Sequence, residues 1–324
     1  MAASPDATSS DRAVSPGGAS SPGGMLSGDG APGVTLAAPR ARPQRTFWGD
    51  TVRGFRQRVP AMVGVVLVGL FLVATAIGLF GTPDSTNRSS LAQRLRPPDL
   101  AHPLGTDGFG REILYRVLQG APLALAVGVV SVAIGSLLGA AQGLLAGYYR
   151  GQVGSLIMGF TDAMLAFPTL LLALAIMATL GPGLVNVMVA VGVSTMPRFT
   201  RMMEAEVLSI SGREFVVASR AIGAGTPSIL FRHILPNALS SVLVMATLYI
   251  STAILAEATL SFLGLGPPPP TPTWGSMIND GSSVLEVAPW VTLFPGLAIT
   301  LTVLGFSLVG DGIRDALDTR LRDR

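Results

Sequence analysis

Long apolar runs alternate with short polar connectors along most of this chain. Residues 117–149, 163–197, 234–256 and 287–310 carry no charged side chain, and Pro60 to Gly81 is a fifth such run. Each exceeds the roughly 20 residues a helix needs to cross about 30 Å of hydrocarbon. Gly181-Pro182-Gly183 is a turn signal that divides the longest run in two. The pattern therefore predicts six membrane-spanning helices at about 60–81, 119–147, 153–180, 184–205, 234–258 and 290–312. The expected fold class is all-α, a polytopic membrane helical bundle.

Composition agrees with the pattern. The chain has 49% hydrophobic and 13% charged residues and a mean hydropathy of +0.56, too apolar for a soluble domain of this length. All 22 basic residues are arginine. With the N-terminus inside, seventeen of them fall on the cytosolic side and five outside, which satisfies the positive-inside rule. Both termini are then cytoplasmic, and the net charge of +3 speaks for topology and anionic lipid contact, not for nucleic acid.

Residues 1–45 are Ala, Ser, Gly, Pro and Asp without a periodic apolar face, which predicts disorder. They also lack the basic start and apolar core of a secretory signal. Residues 46–59 place Phe47 and Trp48 beside Arg53, Arg56 and Arg58, which suits either a juxtamembrane elbow lying along the bilayer or a plain charged stop. The membrane-embedded body is expected over 60–324.

Between the fourth and fifth predicted spans lies a charged insert, residues 212–237. Glu214 to Ile222 reads as a short amphipathic helix that Gly223 ends in the left-handed conformation. Thr226 is the expected N-cap of a second helix, with Pro227 at its first position and Leu235-Pro236 closing the insert. A DNA-binding helix-turn-helix is disfavoured, because the insert is tethered at both ends to membrane spans.

Two external segments carry the remaining polar chemistry. His102-Pro-Leu-Gly-Thr-Asp-Gly-Phe-Gly-Arg-Glu112 offers Asp107, Arg111 and Glu112 for pairing, with Gly105, Gly108 and Gly110 for tight bends. His102 beside an acid fits a structural hydrogen bond better than a metal ligand, so no metal site is expected. The stretch from Glu257 to Asp280 contains four consecutive prolines, which oppose a helix and favour an extended lid over the outer mouth. Glu257 either lines the pathway or braces the Leu-Ser-Phe-Leu turn after it. Asp162, inside the third predicted span, is either a proton-relay carboxylate or, better, a buried partner contact near an inner gate, roughly 15 Å along a helix from the cytosolic surface. Arg198, Arg201, Glu204 and Glu206 read as surface charge where the fourth span leaves the membrane.

The insert resembles the cytoplasmic coupling loop of ATP-binding-cassette importer permeases, whose signature is Glu-Ala-Ala, three residues, Gly, nine residues, then Ile-x-Leu-Pro. Ala218, Gly223, Leu235 and Pro236 fall in register, while Val217, Ser219 and His233 replace the Glu, the second Ala and the Ile. The wording around Ala218, Arg220, Ala221, Gly223 and Ala224, and Arg232-His233-Ile-Leu-Pro-Asn237, is similar to the peptide and nickel branch. So is the outer loop, in which His102, Gly105, Thr106, Asp107, Gly110 and Arg111 match and Glu112 stands for an Asp. The likeness spans roughly residues 50 to 324.

The resemblance implies a six-span permease of the type I importer kind, the second or C-type subunit, in a bacterial cytoplasmic membrane. Its partners would be a second permease subunit, two ATPase subunits and an external substrate-binding protein that docks on the outer loop. The coupling residues it implies are Glu214, Ala218, Arg220, Ala221, Gly223, Ala224, His233, Leu235 and Pro236. Dipeptide, oligopeptide, glutathione and nickel remain open as substrates.

Missing residue types bound the chemistry. Without lysine there is no P-loop to hold nucleotide phosphates, so hydrolysis of ATP is expected in partners and no cofactor or catalytic residue is expected here. Without cysteine there are no disulfides, thiol nucleophiles or Cys-based metal sites. The rival reading is a secondary transporter or channel, which commonly shows inverted repeats; no such repeat is visible, and that class has no evident use for a groove-fitting insert.

Overall fold

The computed structural model describes residues 58–81 and 89–322, with side chains beyond 316 left out of account. The expected disorder over 1–45 and all but the last residues of the expected elbow lie outside this set. Nine helices are used below: α1 (Val59–Phe80), α2 (Ile113–Tyr148), α3 (Gln152–Leu165), α4 (Thr169–Leu180), α5 (Leu184–Ser211), α6 (Glu214–Ala221), α7 (Thr226–Phe262), α8 (Trp274–Ser282) and α9 (Trp290–Arg322).

Each of the six predicted runs is helical, but they are not alike. Among the described residues four helices, α1, α2, α7 and α9, are long and apolar enough to cross a membrane alone, and α5 is not one of them, so the expected six spans become four, or five with the bent pair that follows. The predicted 153–180 span is instead the pair α3 and α4, bent by 94°. Its break falls at Pro168, which has no N–H to donate and sits at φ −54°, ψ 134°, outside the helical basin. Helix α5 runs six residues beyond the expected 205, its last turns carrying Arg201, Glu204 and Glu206 out of the apolar zone.

Glycine sets the closest packing. On α2, Gly135, Gly139, Gly143 and Gly147 recur at every fourth position and form one stripe against α5. A Cβ built on Gly135 would lie 2.8 Å from the Gly192 carbonyl oxygen, one on Gly139 2.6 Å from that of Met196, and one on Gly147 3.0 Å from that of Glu204. Gly143 abuts the Thr200 carbonyl in the same way. Numbers rise together on both helices, so α2 and α5 run parallel, backbone against backbone, as small residues permit inside membranes. Helices α1 and α9 make an antiparallel counterpart through Gly64 beside Leu308 and Gly305 beside Leu67.

Two apolar clusters fill the bundle. One joins α2, α4, α5 and α7 through Val127, Met177, Val191, Phe199, Met203 and Ile254's neighbour Ala253, and continues under the insert through Val216, Ile229, Leu230 and Ile234. The other lies toward the opposite end, where Phe71 meets Trp274 and Phe306 edge-on at centroid distances of 6.0 and 5.7 Å. Val66, Leu70 and Val73 of α1 are exposed, as befits a helix whose solvent is hydrocarbon.

These pairings sort the molecule into two ends. Arg58, at the start of α1, is ion-paired with Asp315 of α9, and this end also holds Tyr148, Ser211 and the insert. The other end holds Phe80, the loop 89–112, the start of α2 and α8.

Candidate functional site

At the loop end, Asp107 organises a buried charge cluster. Its Oδ1 accepts the backbone N–H groups of Phe109 and Arg111, each at 2.9 Å, and its Oδ2 lies 2.7 Å from Arg111 Nε and 3.7 Å from Arg116 Nε. Arg111 Nη2 also reaches Asp280 Oδ2 of α8 at 3.6 Å. Burial lifts the Asp280 carboxyl above the ordinary range, opposed by the pull of Arg111 and Arg116. His102 Nδ1 lies 2.6 Å from Glu112 Oε2, a pair of its own. Asp107 pairs with Arg111 as expected, whereas Glu112 takes His102.

The loop is tied down rather than loose. Gly105 and Gly110 hold φ of +76° and +73°, while Gly108 does not need a positive φ. Thr106, fully buried, accepts the Arg96 N–H through its hydroxyl at 2.9 Å, and its carbonyl accepts from Trp290 Nε1 at 3.3 Å. The indole of Trp290 fills the space over Gly105, where a Cβ would come within 2.8 Å. Arg116, Trp290 and Asp280 were not anticipated as partners of this loop; their spacing in sequence gives no sign of it.

The expected extended lid is corrected by α8. Residues 274–282 form a helix, begun by a capping box in which the Thr273 hydroxyl accepts the Ser276 N–H and Ser276 returns a bond to the Thr273 N–H. The signal was present as Thr-x-x-Ser, obscured by the four prolines before it. Trp274 Nε1 donates to the Val117 carbonyl at 2.9 Å and so fixes α8 to α2. Glu257, 2% exposed, accepts the Ser261 hydroxyl at 2.7 Å, the bracing arrangement of the turn.

At the opposite end, α6 covers Glu214–Ala221, and Gly223 follows at φ +83°. The Gly223 N–H bonds the Arg220 carbonyl and the Ala224 N–H the Ser219 carbonyl, both at 3.0 Å, a Schellman stop. Two expectations are corrected. Thr226 is the first helical residue and Gly225 takes the cap position; the Thr226 hydroxyl instead accepts from Tyr148. Leu235-Pro236 does not close the insert, because its second helix is the first part of α7 and continues past Pro236 through a π-helical stretch, Ile229–Ile234. The wider turn, with the Leu235 N–H bonded to the Leu230 carbonyl, accommodates the donor that Pro236 lacks.

The insert has two faces. Val216, Ile229, Leu230 and Ile234 are buried beneath it, and Ala224 and Leu235 half-buried. Outward stand Glu214, Phe215, Val217, Ala218, Ala221, Ile222, Phe231 and Pro236. His233 is half-buried with its ring 6.4 Å from that of Phe215. Ile222 and Phe231 are 86% and 64% exposed and add apolar surface to this outward side.

Asp162 pairs with Arg201 of α5; a partner contact was expected, but not Arg201 in particular, and the expected burial is corrected, since the two side chains are 55% and 53% exposed. Arg198 bonds the Thr169 hydroxyl and Glu206 the Ser241 hydroxyl. Among the described residues no three His, Asp or Glu converge as a metal site would require.

Residues 139–323 match the family described as the inner membrane component of binding-protein-dependent transport systems. The chain belongs to that family. Over 275 residues it is 41% identical to the dipeptide transport system permease protein DppC of Alkalihalophilus pseudofirmus, covering 85% of this chain and 90% of that one. It is 44% identical over 292 residues to the glutathione transport system permease protein GsiD of Shigella sonnei, covering 89% and 96%. The fold is like that of a chain of the MetNI methionine ABC transporter in its inward-facing conformation, with a TM-score of 0.53 at 21% identity, over 63% of this chain and 97% of that one. The protein is thus a multi-pass membrane permease subunit of an ABC importer.

Proposed function

We propose that this permease is the C-type subunit of a peptide importer. It pairs with a second permease subunit to complete the pathway, and two separate ATPase subunits hydrolyse the ATP. The insert end faces the cytosol with both termini, in keeping with the arginine distribution. The loop end faces outward, where a substrate-binding protein docks near the Asp107 cluster and supplies most of the selectivity. Dipeptides and glutathione are both short peptides, and the two relatives described above are named for them.

The observation that carries this reading is the apolar outer face of the insert. Phe215, Val217, Ala218, Ile222 and Phe231 are all exposed on the insert, among the charged Glu214, Arg220 and Arg232, and its first helix is stopped at Gly223. Such a face suits a groove on a partner, and the partner that a permease needs on its cytosolic side is the ATPase. Val217, where the family signature has a carboxylate, makes the contact apolar. Reconstitution in proteoliposomes with both ATPase subunits, the second permease and the binding protein tests it: ATP-dependent uptake of a dipeptide or of glutathione is expected, and uptake that needs only an ion gradient would overturn it.

A further inference from the structure

Tyr148 is the last residue of α2, directly below the lowest glycine of the stripe, and it reaches the insert from a distant part of the chain. Its hydroxyl donates to Thr226 Oγ1 at 3.2 Å, across 78 residues of sequence. Its ring lies 5.5 Å under the guanidinium carbon of Arg220, a cation–π arrangement, and is braced edge-on by Tyr149 at 5.3 Å. One aromatic side chain therefore touches both halves of the insert: α6 through Arg220 and the start of α7 through Thr226. It also packs on the apolar cluster that contains Val216, Ile229 and Leu230 beneath the insert.

We infer that Tyr148 is a positioning residue for coupling, the abutment through which displacement of the insert is delivered to α2. The inference rests on the insert being the coupling element. The insert is continuous with α5 through Gly212-Arg213 and with the rest of α7 through the π-helical stretch, whereas α2 is separate in sequence and, besides its glycine seam with α5, meets the insert directly through Tyr148. Once α2 is engaged, it cannot slide independently of α5. Gly139 and Gly143 sit against the Met196 and Thr200 carbonyls, so the two helices share one backbone-to-backbone seam and move as a pair. A push at Tyr148 enters this pair one residue below Gly147, near the end of its lever arm. The hydroxyl supplies direction and the ring supplies the bearing surface, so the two parts of the side chain are separable.

The test uses the complete reconstituted complex with a dipeptide and glutathione as transport probes, comparing Tyr148→Phe, Tyr148→Ala and Gly223→Val. For Tyr148→Ala, ATP hydrolysis is expected to stay within about twofold of wild type while uptake per ATP falls about tenfold, a typical coupling factor between sites. Tyr148→Phe keeps the ring and is expected to lie between, with assembly unchanged. A lower hydrolysis rate with unchanged uptake per ATP would overturn the inference, since a merely structural role predicts that pattern. Wild-type uptake per ATP in Tyr148→Ala while Gly223→Val is uncoupled would also overturn it, leaving the insert as the coupling element. Wild-type behaviour of both variants would remove the coupling reading itself.

Discussion

Gly139 of α2 sits against the carbonyl oxygen of Met196 on α5, so that a Cβ added to the glycine would come within 2.6 Å of it. Neither atom belongs to a flexible side chain. Gly139→Leu should therefore force the two helices apart and destabilise the bundle by about 1–3 kcal/mol or more, as overpacking does. Thermal unfolding in detergent would show it, with Gly159→Leu as control, because an added Cβ at Gly159 meets nothing within 4 Å. Equal melting temperatures for the two variants would contradict the seam.

The outer cluster makes a second prediction. Asp107 and Arg111 are both buried and bonded, and Arg116 stands beside them. Asp107→Ala removes the shared carboxylate and leaves two guanidinium groups together, which should cost about 3–5 kcal/mol. The loss should appear as failure of the outer loop to resist external protease before the spans are affected. A variant as resistant as wild type would refute the organising role of Asp107.

Asp280 gives that cluster a pH signature. Its folded-state pKa is raised above 3.8 by burial, so the folded state holds the proton to higher pH than the unfolded state does. Its contribution to stability is present below 3.8 and is lost as pH rises through the elevated pKa. Asp280→Asn cannot titrate and should remove this downward part of the stability profile. Melting curves across acidic pH that stay parallel for the two proteins would exclude the effect.

Asp162 is expected to matter less than its place in a span suggested. With both partners half-exposed, the Arg201 pair should contribute about 0–1 kcal/mol. Asp162→Asn should leave uptake and its pH profile close to wild type. A large loss confined to one side of the pH range would instead revive proton transfer at this residue.

Much of this was legible beforehand because it depends on local rules. The apolar runs give the helices, Gly223 gives the helix stop, and Gly105 and Gly110 give the loop bends, each readable from residue type and neighbours. What escaped is long-range. The stripe from Gly135 to Gly147 is visible as a spacing, but nothing in the sequence says that its partner is Gly192 to Glu204 or that the two helices run parallel. Arg116, Asp280 and Trp290 converge on the outer loop from three helices. The 94° bend at Pro168 and the π turn before Pro236 show the remaining difficulty: proline marks where a helix must change, while packing decides whether it breaks or merely widens.

The helix stop at Gly223 predicts a graded series. An added Cβ would meet nothing within 4 Å, so the cost of substitution is purely conformational, roughly 1–2 kcal/mol for Val in the left-handed region. Asn tolerates that region and should be milder. Both variants should insert and fold in the membrane, with loss of ATPase retention following the order Val over Asn. Equal retention in both would mean that the stop does not set the docking geometry.

The central claim is that the insert end meets an ATPase and the loop end does not. The chain contains no cysteine, so single cysteines report cleanly on their own surroundings. The direct measurement is cross-linking of Ala218→Cys, on the exposed face of α6, and of Phe109→Cys, at the tip of the outer loop, in membranes containing the whole complex. Ala218→Cys is expected to yield a cross-linked product with an ATPase subunit, and Phe109→Cys none. An ATPase adduct from Phe109→Cys, or its absence from Ala218→Cys while the complex remains assembled, would contradict the account.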